Sequence, residues 1–226
     1  MEERKEKLLR LVIETYVKTA EPIGSQFLIE TAVMDVSGAT VRNEMRELEE
    51  EGLLTHPHTS AGRIPTERGY IYYMEHLLRP VSIPLHARAE LKKIEEIANT
   101  KKQKTRSIAK VVASYTNSAV IVAFGDDVVY YTGIGNLFSQ PEFQNFTLTV
   151  DVSAMFDECE KHIETLLERM SEKEVTSLIG SQNPLGAECS VVGFKNQHMT
   201  LFSIFGPIRM NYAKNMSCLS YIQHMI

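Results

Sequence analysis

Arg42 and Arg46 stand four residues apart, one helical turn, with Asn43 beside the first and Ala39 and Thr40 just before it. Side chains of these types can read the edge of a base pair. Arginine donates a parallel pair of hydrogen bonds to guanine, asparagine pairs with adenine, and alanine or threonine touches a thymine methyl. The leading half of a helix that enters a major groove carries such residues, and here that half is Ser37, Gly38, Ala39, Thr40, Arg42, Asn43 and Arg46. An ordinary core helix with surface arginines has the same pattern, so the neighbouring residues must decide. A second set follows: His58, Thr59, Ser60 and Arg63 around Gly62, with Arg68 nearby. Short hydroxyl donors, a flexible glycine and a cation suit phosphate or minor-groove contact. His56 and His58 could instead be metal ligands. With no nearby cysteine or clustered acid the spacing does not favour that, and no metal or other cofactor is expected.

The elements that must hold these residues are helices first. Leu8, Leu11, Val12, Thr15 and Tyr16 make a helical stripe over 3–19. Pro22 and Gly24 break the chain, and Ser25 can cap a second helix through about Ala32. Asp35, Val36 and Ser37 form a turn. Ser37 caps a third helix, 38–51, that Gly52 ends, with Val41, Met45 and Leu48 facing the core. Residues 53–73 read as a β-hairpin whose tip holds the His, Thr, Ser and Gly cluster. Three helices and a hairpin is the order of a winged helix-turn-helix. Leu78–Leu85, with Pro80 and Pro84, reads as a linker. A helical stretch over 86–115 follows, with the basic run Lys92, Lys93, Lys101, Lys102, Lys104, Arg106 and Lys110, either a solvated face or a strut against DNA flanks. Strands are expected at 119–124, 128–132, 175–180, 189–194 and 199–206, and helices at 153–171 and 211–225. The fold class is therefore α+β, with an antiparallel sheet in the second half. The domain bounds are 1–79, a linker and basic helix over 80–115, and a sheet domain over 116–226.

Composition limits the function classes. The chain has 226 residues, 43% of them hydrophobic, which suits two modest globular domains. No run of roughly 18 apolar residues is present, and the charged N-terminus has no apolar signal core, so neither a membrane span nor secretion is expected. Three widely spaced cysteines suit a reducing cytoplasm. The net charge is −5, and residues 1–80 hold 10 Lys+Arg against 14 Asp+Glu. Any DNA contact must rest on local clusters, because charge acts over a Debye length of about 8–10 Å.

EPIGSQFL, SGATVRNEMRELEEEGLL and HPHTSAGRIPTERGY, all within 21–73, resemble the N-terminal domain of HrcA-type heat-inducible transcription repressors. Weaker likeness continues in GIGNLFSQPEF (133–143), IGSQNP (179–184), ECSVV (188–192) and FGPIRMNYAK (205–214). The resemblance implies a winged helix followed by a compact GAF-like antiparallel-sheet domain. It implies a homodimer on an inverted repeat of double-stranded operator DNA upstream of chaperone genes, release by heat, and a chaperonin as a further partner. Members of that family are longer and carry an inserted dimerisation domain. Few residues separate Val120–Phe124 from GIGNLFSQPEF here, so most of that insert is expected to be absent, with the sheet domain or the 86–115 helix supplying the dimer contact.

The second half offers little catalytic chemistry. Cys159 and His162 could share a helix face and make an activated thiolate, but a buried Cys beside a surface His has the same spacing. Cys189, Cys218, Phe194, Phe202 and Phe205 read as core residues. No phosphate-cradling Gly-Lys-Ser/Thr loop occurs, and GIG at 133–135 is too short for a dinucleotide fingerprint. Pro207 should break a strand and Asn211 cap the last helix, leaving Arg209 to pair with an acid or form a hinge. A DNA-binding repressor is the expected function. A small-molecule-responsive regulator and an enzyme docked through its winged helix are the alternatives.

Overall fold

A computed structural model describes residues 1–30, 37–58, 61–98, 100–125, 128–196 and 200–226. They gather into two compact units, Met1–Arg79 and Pro80–Ile226.

The first unit opens with α1 (Glu3–Thr19), α2 (Ser25–Glu30) and α3 (Gly38–Glu50). The buried face of α1 is Leu8, Leu9, Val12 and Ile13. The sequence stripe found Leu8 and Val12 but paired them with Leu11, Thr15 and Tyr16, which are only half-buried. Two i, i+4 seams share one row, and tertiary packing chose the other. The turn expected around Asp35 and Val36 lies outside the described residues. Two strands follow, β1 (Leu54–Thr55) and β2 (Ile64–Pro65), paired antiparallel as Leu54↔Pro65 and Thr55↔Ile64.

The far end of the expected hairpin is not a strand. Residues 67–72 form α4 (Glu67–Tyr72), which runs into a π-helical turn, Tyr73–Leu77. The aromatic run YIYY looked β-like, but Thr66 caps a helix by accepting from the Gly69 amide at 3.0 Å, and its hydroxyl donates to the Gly52 carbonyl at 2.7 Å. Gly69 permits this packing, since an added Cβ there would sit 2.1 Å from the Leu53 carbonyl oxygen.

In the second unit the basic stretch is two helices, α5 (Leu85–Ile97) and α6 (Lys101–Thr116), because Thr100 caps a new start by accepting from the Gln103 amide. Lys104 pairs with Glu95 at 3.0 Å, and Arg106 lies over the Tyr130 ring at 5.1 Å. The strands are β3 (Ala119–Phe124), β4 (Val128–Thr132), β5 (Thr176–Ile179), β6 (Cys189–Lys195) and β7 (Thr200–Pro207). They form one antiparallel sheet in the order β4-β3-β7-β6-β5. Pro207 ends β7 from within, as its last residue. Asp126, Asp127 and Met199, placed in the expected turn and strand, lie outside the described residues.

Between β4 and β5 the chain forms α7 (Ile134–Phe138), α8 (Phe146–Asp157) and α9 (Glu160–Arg169). The single helix expected over 153–171 is thus broken near Glu158, whose backbone leaves the helical region. One sheet face buries Ile121, Val191, Leu201 and Phe205 against Phe156, Ile163, Leu166 and Leu167. The alternate residues Val120, Val122, Phe202 and Ile204 point to the opposite face. There α6 packs on β3, and α10 (Tyr212–Ile222) packs on β6 and α6. Asn211 caps α10, accepting from the Lys214 amide at 3.0 Å. The motifs around Gln140 and Arg209 meet: Arg209 donates to Glu142 through Nε at 2.6 Å and Nη2 at 3.1 Å, and to Gln140 Oε1 at 3.2 Å. Among the described residues no helix is long and apolar enough to cross a membrane.

Candidate nucleic-acid interface

Ser37 fixes where α3 begins. Its extended backbone lets Oγ accept from the Thr40 amide at 3.2 Å, and its hydroxyl also lies 3.0 Å from Thr40 Oγ1. With Val41, Met45 and Leu48 buried, the helical repeat turns Ala39, Arg42, Asn43 and Arg46 outward, and all four are exposed. The first turn of α3 holds no acid, so its partial positive charge is open to an anion. Arg42 Nε donates to Ser25 Oγ at 3.2 Å. Ser25 therefore orients Arg42 from the first residue of α2 and is not the cap expected there. Arg46 makes a loose pair with Glu50 at 3.6 Å, both side chains about two-thirds exposed.

The other acids of α3 are also taken up in ion pairs. Glu44 is buried and bound by Arg4. Lys5 reaches Glu47 at 2.7 Å and Glu51 at 3.4 Å, and its hydrogen bond holds the Glu47 carboxyl below the usual carboxylate range. Glu49 meets His56 Nδ1 with one oxygen and Arg63 Nη2 with the other at 2.8 Å. An acidic unit can thus present a local cationic patch, since the acids of its third helix are paired with cations.

Arg63 is also tied through its backbone. Its N–H donates to the Ile23 carbonyl at 2.8 Å and its carbonyl accepts from the Ile23 N–H at 2.9 Å. This bridge lays the segment before α2 against the hairpin, and it needs Gly62. A Cβ there would lie 2.5 Å from the Ile23 carbonyl carbon and 2.6 Å from its oxygen.

A cleft of about 470 Å³ results, lined by Ser25, Arg42, Asn43, Arg46, Gly62 and Arg63 among others. The structure so brings together Arg42, Asn43, Arg46 and Arg63 from two separate motifs. Ser37, Ala39 and Thr40 stand at the start of the same helix, and His58 is exposed beyond β1. Arg68 is on α4 near Gly52, at the opposite end of α3 from Ser37. Thr59 and Ser60 lie outside the described residues. Sequence reasoning did not single out Glu49, and missed Ser25 as a partner for Arg42. Neither pairing has a sequence spacing that announces it.

Cys159 does not form the activated pair considered with His162. It is fully buried, and burial pushes its thiol up to about 11, the opposite of what a nucleophile needs. Burial pushes Cys189 and Cys218 up to about 12.

A crystal structure described only as a hypothetical protein matches with a TM-score of 0.76 and 17% identity, covering 100% of this chain and 97% of that one, and shows the same fold. The heat-inducible transcription repressor HrcA of Moorella thermoacetica is 42% identical over 133 residues, 56% of this chain and 37% of that protein. The protein of the same name from Natranaerobius thermophilus is 52% identical over 82 residues, 36% of this chain and 24% of that protein. The matches span about a third of the length of the curated relatives. The family model described as HrcA protein C terminal domain matches residues 73–216, more than half of the chain, and the chain belongs to the HrcA family.

Proposed function

We propose that the chain is a DNA-binding transcription repressor of heat-inducible genes, with the first unit a winged helix-turn-helix and the second a GAF-like module. In this reading α3 enters the major groove. Arg42, Asn43 and Arg46, with Thr40 and Ala39, face base edges, and Ser37 with the start of α3 meets phosphate. The hairpin is the wing, its tip residues His58, Thr59 and Ser60 meeting the backbone or minor groove beside Arg63, with Arg68 on the flank. The observation that carries the reading is the cleft: a capped helix start, two arginines and an asparagine face outward beside a hairpin arginine, in an HrcA-family chain. The names of the relatives supply the repressor role and its heat dependence. An inverted-repeat operator needs two such heads about 34–36 Å apart, so the acting species is a homodimer.

Fluorescence anisotropy tests this. An inverted-repeat duplex from a chaperone promoter is titrated beside a scrambled duplex of equal length, at two salt concentrations. A preference of about 1,000-fold or more, the lower range for specific readers, is expected. Equal and steeply salt-dependent binding to both would reduce the interaction to phosphate attraction and refute the reading.

A further inference from the structure

We propose that Glu49 is a positioning residue: it holds Arg63 and thereby sets the hairpin against α3, governing discrimination between DNA sequences without touching DNA. The proposal rests on the winged-helix reading above.

The hairpin's own ladder is short: among the described residues it has two residue pairs, and Pro65 of β2 has no N–H to give. Besides the Ile23–Arg63 backbone bridge, both stems converge on one carboxylate. His56, just past β1, meets one Glu49 oxygen, and Arg63, just before β2, meets the other at 2.8 Å. Glu49 belongs to the last turn of α3, the helix that carries Arg42 and Asn43. One side chain therefore ties both stems to the reading helix. The pair is shielded, with Glu49 22% and Arg63 25% exposed, so the attraction is screened less than at an open surface.

Arg63 also lines the cleft with Arg42 and Arg46. Held by Glu49, its charge is matched; released, it becomes one more cation for phosphate. Loss of Glu49 should act with opposite sign on two kinds of DNA. Any sequence gains a phosphate contact, while the preferred sequence loses the hairpin placement. Simple destabilisation would weaken both together.

The test uses the full chain with Glu49→Gln, Glu49→Ala, Arg63→Ala and the Glu49→Ala/Arg63→Ala double variant, each first checked for a folded melting transition. Anisotropy is read on the inverted-repeat duplex and its scrambled counterpart across a salt series. For either Glu49 variant the scrambled duplex should bind more tightly. Its slope of log K against log salt should steepen by about 0.9, the value of one added phosphate contact. The preference for the inverted repeat should fall about tenfold, within the range of one lost specific contact. The tighter scrambled binding and steeper slope should vanish when Arg63 is already alanine. Parallel weakening on both duplexes, an unchanged slope, or the same gain without Arg63 would overturn the proposal. If the unmodified chain shows no preference for the inverted repeat, the winged-helix reading falls and this one with it. A preference that Glu49→Gln and Glu49→Ala leave untouched refutes the positioning role alone.

Discussion

Replacing Gly62 by alanine should open the base of the hairpin. The added Cβ would start 2.5 Å from the Ile23 carbonyl carbon, 2.6 Å from its oxygen and 2.7 Å from the Pro22 carbonyl carbon. All three are backbone atoms, so no flexible side chain can swing aside. Carbon atoms rest at about 3.5–4.0 Å, so the two segments must part by about 1 Å. That stretches the Ile23–Arg63 hydrogen bonds, 2.8 and 2.9 Å long, beyond bonding range. Two such bonds contribute about 1–3 kcal/mol together. In a domain of this size that corresponds to a fall in melting temperature of about 8–16 °C for a 2 kcal/mol loss. Because the two units can melt separately, the assay should be local. Amide hydrogen exchange, read at Ile23 and Arg63 before and after substitution, reports the bridge directly. Arg63 should also leave the cleft, so operator affinity should fall while α1 keeps its protection. Unchanged protection of both amides, with a melting temperature within a degree of the parent, would refute the close-approach reasoning.

Other consequences can be checked in the same way. Arg42→Lys keeps a charge but loses the planar donor fork, so operator affinity should drop about tenfold or more with stability nearly unchanged; equal affinity would remove Arg42 from base readout. Arg209→Ala leaves Glu142, a quarter exposed, without its forked partner, and should lower stability by about 3 kcal/mol in a melting experiment on the second unit. The buried thiols set an alkaline limit. Their folded values lie near 11 to 12 against 9.0 unperturbed, so the unfolded chain loses its thiol protons first and stability should fall as pH rises from about 9 toward 12. A flat urea midpoint across that window would contradict it. For the same reason a thiol reagent near pH 8 should label none of the three until the chain is unfolded.

The helices were legible where a local signal marked their ends. Ser37 and Gly52 bracket α3 with a side-chain cap and a positive φ of 72°, and the stripe Val41, Met45, Leu48 gave its buried face. The strands of the second unit showed as runs of β-branched and aromatic residues. The same rule failed at Tyr70–Tyr73, where the Thr66 cap and the Gly69 contact with Leu53 outweigh β-propensity. Thr100 and Glu158 break helices that periodicity alone joined. At the candidate interface, Arg42, Asn43 and Arg46 could be placed on one exposed face because helical spacing fixes it. That Glu49 binds Arg63, or that Ser25 steadies Arg42, depends on how the hairpin and α2 pack on α3, which sequence spacing does not encode.

The strand order of the second sheet has a consequence for synthesis. β3 lies beside β7, and their ladder joins Ala119–Phe124 to Thr200–Phe205. Contact order is therefore high at the very centre of the sheet. As the ribosome delivers the chain, the apolar run AVIVAF emerges with only β4 available to pair with it. Its second edge must wait until β7, ending at Pro207, has left the exit tunnel. The second unit should thus close late and all at once. A chain arrested before β7 would carry an open hydrophobic sheet edge, the kind of nascent species most prone to associate with others.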